Sequence, residues 1–370
     1  MRIPTFAAVL LIAAVMVLVA PGPATAEPTV HSGLSLPPPT GPLHTARAVR
    51  HLVDESRPDP WVPTERRQLM LSVWYPARHD DGPTAPYLSP AESRLFMSRL
   101  TAPGVPPEIL STVATHSTVD TPAKPRPGGW PVVVLSPGFS FPRATLTGLA
   151  EDLASRGYVV VGVDHTYEAF GVTLPDGRVT GCVACEVPGL SGERVAGGRA
   201  RDVSFVLDRL PSLGVPVDPH RIAMVGHSMG GAAALATMLA DPRVDVGVNL
   251  DGTFHPALPP SGMPRPFLMM GNEEHGQPGA EPTRTWDTTW ANLSGWKRWL
   301  SVTGTTHSSF TDLAVLADQL GLPIQELSGE RATEITRTYV AAVLDRHLRR
   351  IPQPLLNGGS HRYPEVIFQP

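Results

Sequence analysis

From Trp130 onward the chain alternates short β-branched runs with helical stretches. "WPVVVLS" is followed by "ATLTGLAEDLASRG", where Leu146, Leu149 and Leu153 share one helical face and Gly157 stops the helix. "YVVVGVD" precedes "ARDVSFVLDRL", with Val203, Val206, Leu207 and Leu210 at helical spacing. "RIAMVG" runs into the small-residue stretch "SMGGAAALATMLA". "VDVGVNLD", "RPFLMMG" and "KRWLSVTG" are further strands, and a last helix spans roughly Glu330 to Arg349. Apolar strands alternating with helices require a largely parallel sheet covered on both faces. The fold class is therefore α/β, and the alternation continues without a second domain.

The N-terminal part differs. "LHTARAVRHLVD" and "RRQLMLSVWYP" predict two opening strands that end at Pro76. Residues from about 77 to 129 form a Pro-rich insertion, too long for an ordinary connection and thus expected to be functional or a cover. Within it, Ser89 as N-cap and Pro90 at the first helical position predict a helix in "SPAESRLFMSRL". A second short helix is expected in "PPEILSTVATH". Leu95, Phe96, Leu100, Ile109 and Leu110 exceed what a solvated loop needs, so they pack on the domain or contact substrate.

Residues 1–26 have Arg2, an apolar run from about Phe6 to Ala20, and "ATA" before Glu27. That is the pattern of a secretory signal peptide cleaved near Ala26–Glu27, leaving 27–370 as a single domain. The run is shorter than the ~20 residues of a membrane span, so no stable span is expected. With a formal net charge of −4, the composition points away from nucleic acid and anionic membranes. The two cysteines, Cys182 and Cys185, have no second pair to complete a zinc site. Export makes a local disulfide the expected state.

In a parallel sheet, sites form at the carboxyl ends of the strands. There the sequence places Pro137-Gly138-Phe139, then Gly226-His227-Ser228-Met229-Gly230-Gly231, then Asp251, then Glu273 and Glu274, then His307. Serine, acid and histidine in that chain order suit a Ser-His-Asp hydrolase on this fold. Gly226 and Gly230 flank Ser228 as a sharp strand-to-helix turn requires. The serine needs an imidazole base, here His307, and the imidazolium needs an anionic partner. Asp251 is the favoured acid, with Glu273 or Glu274 the alternative because many such folds take it from the next strand end. Two backbone donors must meet the oxyanion, and Phe139 and Met229 are placed for it. His227 is expected to line the site with its ring turned from the hydroxyl. His165, His255 and His275 are expected to be structural or cleft-lining, and no histidine pairing suggests a metal site.

"SPGFS", "GHSMGG", "NLDG" and "GTTHSSF" resemble the platelet-activating-factor acetylhydrolase family of α/β-hydrolases, in its plasma and intracellular type II branch. "SVWYP" and "VDHTYEAFGVTLPDGRV" resemble its secreted bacterial relatives, and the similarity runs from about Thr40 to the end. One departure is Pro137, where that family often has histidine before glycine. The resemblance implies an α/β-hydrolase fold, Ser228 as nucleophile, Asp251 as acid, His307 as base, Phe139 and Met229 as oxyanion donors, and no cofactor. It implies an ester or lipid substrate: short acyl esters, or phospholipids like platelet-activating factor. Cutinase-like polyester hydrolases show a similar "SPGF" loop and G-x-S-M-G-G turn, so a lipase or polyester hydrolase is the rival enzyme. Outside enzymes the rival is a secreted, inactive binding protein.

Overall fold

The computed structural model describes residues 33–100, 102–275, 278–279 and 284–370. The sequence-predicted signal peptide lies outside them. Twelve strands are present among the described residues: β1 (Thr45–Pro58), β2 (Arg66–Pro76), β3 (Thr118–Val119), β4 (Trp130–Ser136), β5 (Val159–His165), β6 (Val172–Thr173), β7 (Val179–Thr180), β8 (Val217–His227), β9 (Val246–Leu250), β10 (Phe267–Gly271), β11 (Lys297–Val302) and β12 (Val366–Phe368). Among them run α1 (Pro90–Met97), α2 (Thr147–Ser155), α3 (Gly192–Arg209), α4 (Met229–Ala240), α5 (Arg284–Asn292), α6 (Leu313–Gln319) and α7 (Gly329–Leu348).

Ten strands make one sheet in the order β12-β11-β10-β9-β8-β4-β5-β2-β1-β3, and β6 pairs with β7 in a separate hairpin. The block β5-β4-β8-β9-β10-β11 is parallel throughout. β2 joins it antiparallel to β5, and β12 closes the far edge antiparallel to β11. Side chains of a strand alternate between faces. Val132 and Val134 of β4 accordingly pack with Val203 and Val206 of α3 and Leu235 and Met238 of α4. Val133 and Leu135 pack on the other face with Leu149 and Leu153 of α2 and Ile335 and Tyr339 of α7. This is the α/β-hydrolase arrangement, a mostly parallel sheet with helices on both faces.

Several local outcomes have plain causes. Ser89 caps α1 through a complete capping box with Glu92, as its sequence pattern predicts. The second helix expected in the insertion is a single 3₁₀ turn, Ile109–Thr112, because Glu108 supplies no cap bond and β-branched Thr112 and Val113 follow. α3 starts well before Ala200, where Ser191 accepts a bond from the Arg194 amide. Helices α5 and α6, the β6–β7 hairpin and β12 have no counterpart among the sequence-predicted elements. The insertion packs α1 and its 3₁₀ turn against Val315 and Leu316 of α6, and Cys182, which joins the same cluster, forms a disulfide with Cys185. Among the described residues no helix is long and apolar enough to cross a membrane.

Candidate active site

β8 delivers its last residues into a turn so tight that only glycine fits two positions before and two positions after Ser228. A Cβ on Gly226 would stand 2.0 Å from the Gly230 carbonyl carbon, and one on Gly230 would stand 1.9 Å from the Ser136 carbonyl oxygen. Ser228 has φ +55° and ψ −122°, a conformation that L-residues rarely adopt. Its amide donates to the Leu250 carbonyl oxygen at 2.8 Å, anchoring the turn to the end of β9. The strain thus has neighbours that hold it, and the hydroxyl stands free of the helix-capping bonds a bland serine would make there.

His307 opens a 3₁₀ turn after β11, and its Nε2 lies 2.8 Å from Ser228 Oγ. Its Nδ1 lies 2.7 Å from Asp251 Oδ2. Asp251 sits just past β9 at φ +58°, with its amide bonded to the Met270 carbonyl oxygen at 2.7 Å. The carboxylate is fully buried, whereas the His307 side chain is 49 % exposed, so solvent and substrate reach the imidazole but not the acid. An ionised carboxylate only accepts hydrogen bonds, so Nδ1 of His307 carries the proton. Nε2 therefore presents a lone pair to the Ser228 hydroxyl, the direction a general base requires.

The second Asp251 oxygen is also committed. Oδ1 accepts from the Asn272 amide at 2.8 Å and from His275 Nδ1 at 2.9 Å. Burial alone would raise the Asp251 carboxyl, but the bonds from His275 and His307 outweigh it and hold the group below its ordinary value. Asp251 is thus gripped by two imidazoles. The structural or cleft-lining role expected of His275 takes a specific form: its ring stacks on Trp286, with centroids 5.2 Å apart, and its Nδ1 bonds Asp251. The alternative acids do not reach: Glu273 and Glu274 are exposed, and Glu273 accepts from the Gly304 amide instead.

His227 is buried with its ring centroid 4.7 Å from that of His307. Its Nε2 donates to the His307 carbonyl oxygen at 2.7 Å, so the ring turns from the hydroxyl and steadies the loop that carries His307. Burial, reinforced by the neighbouring His307, pushes His227 down to about 4. His165 is fully enclosed between Ser136 and Asp202.

Phe139 and Met229 flank Ser228 from the β4 loop and the first position of α4. Neither amide donates to an acceptor among the described residues. Next to His307 is a largely apolar cavity of 190 Å³, walled by Thr306, Ser308, α6 residues such as Leu316, the adjoining Leu320, and Leu100 and Leu110 of the insertion. Leu100 and Leu110 therefore line the cavity, while Phe96 is buried away from it, edge-on to Phe141. A larger cavity of 340 Å³, walled by Arg47, Glu92 and Arg143 among others, shares no wall residue with it; Ser228, Asp251 and His307 line neither, and only the smaller one is walled by the chain neighbours of His307. Among the described residues no three His, Cys, Asp or Glu side chains group as metal ligands.

The chain is similar in sequence and fold to several esterases. The chain aligns over 91 % of its length with a solved structure titled as a ferulic acid esterase from Streptomyces cinnamoneus, covering 100 % of that chain at 42 % identity and a TM-score of 0.84. A probable 1-alkyl-2-acetylglycerophosphocholine esterase of Arthroderma benhamiae is 28 % identical over 92 % of this chain and 95 % of its own. The platelet-activating factor acetylhydrolase of Cavia porcellus is 24 % identical over 73 % of this chain and 69 % of its own. Fold and relatives define a carboxylic ester hydrolase of the α/β-hydrolase class. Residues 64–174 and 202–349 match the family described as platelet-activating factor acetylhydrolase, isoform II, and the chain belongs to that family.

Proposed function

We propose that the chain hydrolyses its ester through an acyl-enzyme on Ser228. Ser228 Oγ attacks the carbonyl carbon while its proton passes to His307 Nε2, and the carbonyl oxygen takes the negative charge between the Phe139 and Met229 amides. The C–O bond to the alcohol then breaks, and the alcohol leaves with the proton from His307. Water, deprotonated by the same Nε2, attacks the acyl carbonyl, and Ser228 recovers its proton as the acid departs. Asp251 keeps the His307 proton on Nδ1 and stabilises the imidazolium. The observation that carries this reading is the continuous relay from Ser228 Oγ through both His307 nitrogens to Asp251 Oδ2, at 2.8 and 2.7 Å.

The acyl group is proposed to enter the apolar cavity between the insertion and α6. An acetyl group would leave most of 190 Å³ unfilled, so a larger acyl group, including the aromatic acid named for the Streptomyces relative, is the leading substrate class. A 2-acetyl phospholipid is the second reading, supported by the names of the curated relatives. Export through a cleaved signal at residues 1–26 is part of the proposal, supported by the pattern of that segment. A fluorophosphonate probe tests the nucleophile: stoichiometric label on Ser228 supports it, and no label on an active protein refutes it. Turnover of p-nitrophenyl acetate, p-nitrophenyl octanoate, methyl ferulate and a 2-acetyl phospholipid then ranks the substrate classes.

A further inference from the structure

Beneath the loop that carries Phe139 lies a guanidinium with no part in the steps above. Arg199, on the face of α3 turned to the sheet, is 1 % exposed. Its Nη1 donates to the Pro137 carbonyl oxygen at 2.5 Å and to Ser136 Oγ at 3.2 Å. Its Nη2 approaches the Gly138 carbonyl oxygen at 3.5 Å, and that oxygen also accepts the Phe141 amide at 3.2 Å. The Arg199 Nε is itself fixed by Glu168 Oε2 at 2.7 Å, and Glu168 Oε1 by the Trp61 indole at 3.0 Å.

A trans peptide points its C=O and the next N–H in opposite directions. The Gly138 carbonyl is held on the α3 side, so the Phe139 N–H points to the other side. Ser228 packs against this same loop: a Cβ on Gly138 would stand 3.4 Å from Ser228 Cβ and 3.1 Å from His227 Nδ1. Resting on the reading that Ser228 is acylated, we propose that Arg199 is a positioning residue for the oxyanion donor Phe139. Its fork fixes the peptide planes of Pro137 and Gly138, and so prevents the flip that would turn a carbonyl, rather than an amide, toward the developing oxyanion. A planar fork suits the task because it reaches several acceptors from one rigid group. Burying a cation under a backbone loop is costly unless its N–H groups are met. Here the loop itself supplies two of the acceptors.

The test uses the double variant Arg199→Met/Glu168→Gln, which removes the guanidinium without stranding a buried carboxylate, and Arg199→Lys, which keeps the charge but not the fork. Both are compared with the wild type by circular dichroism, steady-state kinetics, and the ¹³C-edited infrared band of the acyl-enzyme carbonyl formed with a slowly released ester. A lost oxyanion donor lowers kcat by roughly 10²–10³. The expected result is a fall of that order for the double variant, a smaller one for Arg199→Lys, KM nearly unchanged, and a carbonyl band moved to higher wavenumber. If the double variant does not fold, the band of Arg199→Lys decides. A folded variant with the wild-type band position overturns the assignment, whatever its rate. Failure of the wild type to acylate at Ser228 is distinguishable, and overturns the mechanism and this inference together.

Discussion

Replacing Asp251 by asparagine changes one atom at the most buried point of the relay, and the donors around it decide how the new side chain sits. The Asp251 Oδ1 position receives two donors, the Asn272 amide at 2.8 Å and His275 Nδ1 at 2.9 Å. The Oδ2 position faces one, His307 Nδ1 at 2.7 Å. An asparagine whose NH₂ took the first position would set donor against donor twice, so it takes the second, opposite His307. His307 must then move its proton to Nε2, and it presents an N–H to Ser228 where a lone pair is required. The base is lost although no heavy atom need shift. A wrong tautomer of this kind costs about 10⁴ in kcat in a comparable triad, or about 5 kcal/mol of transition-state stabilisation. Since the substituted side chain keeps both bonds at Oδ1, the cost to folding should be ~1 kcal/mol, a shift of a few degrees in the melt. Steady-state rates on a p-nitrophenyl ester, a thermal melt and the rate of fluorophosphonate labelling check this together. Glu273→Gln and Glu274→Gln should lose less than about threefold, their carboxylates being exposed. If either glutamine variant abolishes turnover while Asp251→Asn keeps it, the assignment of the acid is wrong.

Three further outcomes rest on the same geometry. His275→Phe keeps a ring over Trp286 but removes one of three donors to Asp251. Turnover should fall about tenfold, because a bond to a charged group is worth about 1.5–3 kcal/mol, and the acid limb of the pH–rate profile should move; an unchanged profile would count against it. Leu100→Trp should fill part of the 190 Å³ cavity, so turnover of octanoyl or feruloyl esters falls at least about tenfold relative to acetyl esters; an unaltered ratio would remove the cavity from the acyl path. His227 takes up its proton near 4 in the folded chain and near 6.5 when unfolded, so the unfolded state binds more protons as the pH falls between those values. Its contribution is intact above about 6.5 and lost on descending to 4, amounting to about 3 kcal/mol. Urea unfolding of the wild type and His227→Gln at about pH 7 and pH 4.5, on either side of most of that window, should show a smaller pH dependence in the variant, and equal slopes would refute the account.

How much of this is legible in the residues depends on where each signal resides. Strands buried on both faces announce themselves as unbroken apolar runs, and α2 and α4 follow from spacing and small residues, so the parallel block is visible from Trp130 on. The Ser228 turn is visible because sterics leave glycine alone at positions 226 and 230. Asp251 is harder to choose, since strand ends β9 and β10 both carry acids and only three-dimensional reach separates them. His275 gives no periodic signal at all. It follows a strand in a loop, and its contact with Asp251 depends on the turn through Asn272, whose side chain accepts the Glu274 and His275 amides. Arg199 does leave a trace. Extending the stripe Leu210, Val206, Val203 backwards by one helical step reaches residue 199, and an arginine there is a cation on the face that packs against the sheet. Such a residue has to find acceptors that water no longer supplies. Asp202, one turn along the same helix, answers the same need for Arg67, which donates to it from Nη2 at 2.5 Å. A charged residue in an apolar stripe is therefore a sequence-level pointer to backbone or charge that must be met from below, and in this chain the backbone it meets is the loop beside Ser228.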